Sequence, residues 1–89
     1  MPSLRQLIIQ GEAYIKEMKA FVEDEVPTKT HWKDIEHWHK SCLKMIDRID
    51  ASALSDAGQF NEWSPRGEIY AAQRATVEVL NRLADSDAG

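Results

Sequence analysis

A chain of 89 residues is one domain's worth of sequence. It is 43% hydrophobic and 29% charged, with 11 basic against 15 acidic residues, which fits an ordinary folded chain and argues against disorder. Apolar runs as short as Leu7 to Ile9 exclude a transmembrane protein, and the net charge of −4 disfavours a general nucleic-acid or anionic-membrane binder.

The first element opens at Ser3, whose spacing to Gln6 matches a capping box. From there Leu4, Leu7, Ile8, Gly11, Tyr14, Ile15, Met18, Phe21 and Val22 share one face at helical periodicity. A helix is expected over about 3–26. Its acidic end, Glu23-Asp24-Glu25, sits where the helix dipole disfavours negative charge, so fraying or a nearby basic partner is expected there. Pro27 to Thr30 reads as a short turn, with Thr28 or Thr30 as cap of a second helix over about 30–51. The apolar face of this helix is Trp32, Ile35, Trp38, His39, Cys42, Met45, Ile46 and Ile49.

Residues 52–64 show no period and read as a long loop anchored by Leu54, Phe60 and Trp63. Ser64-Pro65 then reads as a helix start, serine capping and proline at the first helical position. The third helix is expected over about 65–84, packing through Ile69, Ala72, Thr76, Val79, Leu80 and Leu83, with a frayed tail over 85–89. With no strand pattern, the expected fold is all-α: a single domain over 1–89, a three-helix bundle built on a long antiparallel helical hairpin.

Catalytic patterns are weak. His31, His37, His39 and Cys42 are all zinc-binding types, but His37 and His39 point about 160° apart on a helix. Only His39 and Cys42 could share an ion. Cys42 beside His39 also suggests a thiolate–imidazole pair, yet it falls mid-helix on an apolar face, where a buried structural thiol is the better reading. Phosphate loops and metalloprotease motifs are absent. No enzymatic activity, cofactor or metal is expected.

Two surface features stand out. Residues 1–27 carry 3 basic and 5 acidic groups, residues 28–52 carry 5 and 4, and residues 53–89 carry 3 and 6, so only the middle third is net positive. There Lys29, Lys33, His37, Lys40, Lys44 and Arg48 recur every three or four residues, forming one stripe opposite the apolar face. Such a stripe is either a solvated face with local ion pairs or a grip for an acidic partner or a phosphate backbone. The second feature is apolar surplus. Ile9, Tyr70 and Val77 project away from the main faces, and Phe60 and Trp63 sit in the loop.

These patterns point to a non-enzymatic interaction protein that binds and modulates, in the inhibitory sense, a protein partner. A homodimer or higher homo-oligomer is expected, with no membrane association. The partner-binding residues would be Lys33, His37, Lys40, Lys44, Arg48, Phe60, Trp63, Tyr70, Val77 and Ile9. Small acidic chains without catalytic motifs include phage-type accessory regulators. No basic-then-apolar leader is visible, so a cytoplasmic location is expected. The alternative is a nucleotide or nucleic-acid phosphate binder using the same basic stripe.

Overall fold

The computed structural model of the protein describes residues 2–88. Three α-helices, α1 (Leu4–Asp24), α2 (Trp32–Asp50) and α3 (Arg66–Ala88), form a small bundle, and a short 3₁₀ helix (Ala51–Asp56) follows α2 directly. No strand occurs among the described residues.

The start of α1 follows the expected chemistry. Ser3 Oγ accepts the Gln6 N–H at 3.1 Å, and Gln6 Oε1 accepts the Ser3 N–H at 2.8 Å, so two otherwise orphaned donors are satisfied reciprocally. Its end is ordered despite the acidic run. Glu25 adopts a left-handed conformation (φ 56°), while Glu25 N–H donates to the Phe21 carbonyl and Val26 N–H to the Ala20 carbonyl. The Glu25–Phe21 bond is the left-handed (αL) type of helix closure, with glutamate in a position that favours glycine.

The turn into α2 is held by a residue that sequence periodicity did not single out. The Glu17 carboxylate accepts the backbone N–H groups of Lys29 and Thr30 and the Thr30 hydroxyl. The Thr30 hydroxyl, with the two backbone donors, pulls the Glu17 carboxyl below its ordinary value against the opposing effect of burial. Thr30 is thereby occupied, and the cap of α2 is His31 instead of a threonine. His31 Nδ1 accepts the Lys33 N–H at 3.1 Å, and Asp34 accepts the His31 N–H at 3.3 Å.

α1 packs more extensively on α3 than on α2. The two run antiparallel: Leu4 and Ile8 share a groove with Asn81 and Ala84, Gly11 faces Val77, and Arg66 lies 3.9 Å over the Phe21 ring. Gly11 lets three elements meet. A Cβ there would sit 2.3 Å from Trp38 Cζ2 and 2.7 Å from Val77 Cγ2. Trp38 is fully buried and its indole N–H donates to the Leu7 carbonyl at 2.9 Å, tying α2 to α1.

The segment 52–64, expected as a loop, lies in a pinned return leg, residues 51–65, that carries the chain back from the end of α2 to the start of α3. Ala53 and Ala57 are buried in the core. The fully buried Thr76 hydroxyl bonds the Ala57 carbonyl and its own Ala72 carbonyl. Gly58, at φ 74°, brings its backbone against Ala72, where a Cβ would meet Ala72 Cα at 3.0 Å. Arg82 pairs with Asp56 at 3.1 Å. Ser64 does not cap α3; its hydroxyl accepts the Asn61 N–H and closes a turn. The Pro65 carbonyl instead receives the N–H groups of Glu68 and Ile69, so the proline sits one position outside the helix.

α3 also runs beyond its expected end, through Asp85 to Ala88, because Leu83 remains buried and no glycine or proline interrupts before Gly89, which lies outside the described residues. With α1 on one side and the return leg on another, α3 is buried over a wide arc that includes Ala72, Gln73, Thr76, Val77, Val79, Leu80 and Leu83. Gln73 is fully buried, and both polar atoms of its amide lack a hydrogen-bond partner among the described residues.

Candidate interaction surface

α2 presents two chemically opposed faces. Its inner face holds Ile35, Trp38, His39, Cys42 and Ile46, all buried. Ile49, expected on this face, is 48% exposed, because α2 outruns the core after Ile46.

The residues on the inner face that suggested chemistry are structural. The Cys42 thiol has no exposed surface, and burial pushes its pKa up to about 12, so the nucleophilic thiolate is suppressed at neutral pH. His39 Nε2 lies 3.1 Å from the Gly58 carbonyl, an arrangement in which the ring donates its N–H and clamps the return leg. Burial lowers the His39 pKa, and the bond to Gly58 opposes that shift only in part. Phe60 covers the same ring at 4.7 Å between centroids. The three histidines thus serve three separate purposes: His31 caps a helix, His37 is exposed, and His39 locks the connection. Among the described residues, no group of three or more histidine, cysteine or acidic side chains could hold a metal ion.

The outer face is the cationic stripe. Lys33, His37, Lys40, Lys44 and Arg48 are all exposed along it, while Lys29, also exposed, lies in the turn before α2 and off the helix. Lys40 makes a long ion pair with Glu36 at 3.7 Å, its side chain 68% exposed, so the contact is worth little and leaves the ammonium accessible. Arg48 lies in the last turn of α2, where its charge complements the helix dipole. Lys44 and Arg48 also border a small cleft of about 110 Å³ against Pro2 and Leu7 at the start of α1.

The other expected contact residues divide. Trp63 is 85% exposed, and its backbone is fixed in a turn in which its N–H donates to Asn61 Oδ1 at 2.8 Å. Ile9 is 60% exposed. Val77 is corrected, while Phe60 and Tyr70 are half-buried. Val77 is buried at 7% exposure against Gly11, because the glycine opens room for it between α1 and α2. Phe60 packs on His39 and the core. Tyr70 is half-buried against the core, with Arg74 5.6 Å from its ring.

No described helix is long and apolar enough to cross a membrane. Comparison with protein-family models, curated proteins and solved structures returned no match, so nothing about function is carried over by likeness.

Proposed function

We propose that the protein is a non-enzymatic interaction module that binds an acidic surface of a protein partner through the outer face of α2. The observation that carries this is the exposure of Lys33, His37, Lys40, Lys44 and Arg48 along one side of a helix whose opposite side is closed into the core. A rigid helix holds these charges at fixed spacing, so they can meet a matching acidic surface without reordering. Trp63, held on a hydrogen-bonded turn, adds an aromatic anchor of the kind that dominates interface energetics. The setting is cytoplasmic, where a lone thiol such as Cys42 stays reduced. The role is that of a small regulator or inhibitor, of the accessory type that phages encode, a reading supported by the exposed cationic face of α2.

The test compares two baits in nuclease-treated host extract: wild type and Lys40→Glu/Lys44→Glu. A partner retained by wild type, released by salt and lost from the double variant is expected. A partner captured equally by both baits overturns the reading. A low-salt shift with DNA, RNA or nucleotides that vanishes in the double variant replaces it with the phosphate-binding alternative.

A further inference from the structure

The outward side of α1 carries a pattern that matches itself when reversed. Arg5, Ile9 and Glu12 are exposed and one helical turn apart, with the apolar residue between opposite charges. Together with Leu4, Ile8, Asn81 and Ala84 they line an open groove of about 500 Å³ between the start of α1 and the end of α3. Leu4, Ile8 and Ala84 are half-buried, so the groove has an apolar floor. Ile9, at 60% exposure, is a large aliphatic side chain on the wall of this groove, open to solvent.

We infer that this face binds a second copy of the chain, the two α1 helices lying antiparallel across a two-fold axis near Ile8 and Ile9. The charge order selects that arrangement. Antiparallel pairing sets Arg5 of each copy against Glu12 of the other, whereas parallel pairing would set like charges together. The same operation carries Ile9 of each copy toward the groove of the other, which makes the contact isologous and closed. The hydrophobic seat supplies affinity, and the reciprocal ion pairs supply orientation. This surface belongs to α1 and α3 and not to the cationic face of α2, so either surface can fail without the other.

Light scattering or sedimentation over a concentration series tests the contact. Wild type is expected to rise from 10.2 kDa toward twice that mass. Each substitution acts twice in a two-fold contact, so Arg5→Glu or Glu12→Arg alone should weaken dimerisation roughly tenfold or more. The double swap Arg5→Glu/Glu12→Arg should restore it, and Ile9→Asp should abolish it. All three side chains are exposed, so helical circular dichroism should be unchanged throughout. A strict monomer at every concentration, a dimer indifferent to Ile9→Asp, or a swap that fails to restore association overturns the inference.

Discussion

His37 and His39 are two residues apart on α2 and lead opposite lives. His39 faces inward, donates to the Gly58 carbonyl and is covered by Phe60, while His37 stands exposed among lysines. The same division holds for the whole helix: the inner face of α2 organises the bundle, and the outer face is exposed and, in the function proposed above, is the one that binds. Residue type alone was therefore a poor guide to chemistry. The group that most resembled a nucleophilic pair, Cys42 with His39, is core, and the plain lysines are what the molecule presents.

Substitutions can break this division, the largest effects being expected on the inner face. Trp38→Ala removes a fully buried ring and leaves the Leu7 carbonyl without its donor, costing about 3–5 kcal/mol in equilibrium denaturation. That is a large share of the roughly 5–15 kcal/mol of a small domain. Gly11→Ala pushes a methyl group into the Trp38 ring and Val77, and overpacking of this kind costs about 1–3 kcal/mol. A neutral result at Gly11 would mean that the α1–α2–α3 junction is looser than described.

His39 sharpens the comparison through pH. Its folded pKa lies below the ordinary 6.5 because burial disfavours the charged ring, so the unfolded chain binds the proton more readily. The stability it contributes is present above about pH 6.5 and lost as the pH falls through the folded value. Denaturation midpoints across that range should fall on acidification in wild type. The slope should shrink in His39→Gln. On the outer face, His37→Gln and Lys40→Glu/Lys44→Glu should each shift stability by no more than about 0.5 kcal/mol, as surface substitutions do. Trp63→Ala should be equally silent in stability while weakening partner capture.

Much of this was legible in the sequence. The three helices, the Ser3–Gln6 box and most of the inner residues of α1 and α2 follow from local spacing, because one face of each helix meets the core. What escaped depends on tertiary neighbours. Val77 and Tyr70 seemed surplus because a single apolar stripe was assumed for α3, whereas α1 and the return leg cover it from two sides. Gln73 lies between them at helical spacing and could have been read as part of the same second line. Phe60 sits in a stretch without period, and its burial is set by a side chain on another element. The exposed stripe and Trp63 were visible, since charge spacing and aromatic placement need no partner to be read.

The division of α2 is tested most directly by the reactivity of Cys42 toward a thiol reagent under native conditions, measured in wild type and in Lys40→Glu/Lys44→Glu. The expected result is labelling that proceeds only as fast as the protein unfolds, at the same rate in both chains, since the thiol is sealed and the outer charges do not support it. Rapid stoichiometric labelling of the folded protein, or a seal broken by the outer-face substitutions, would contradict the account.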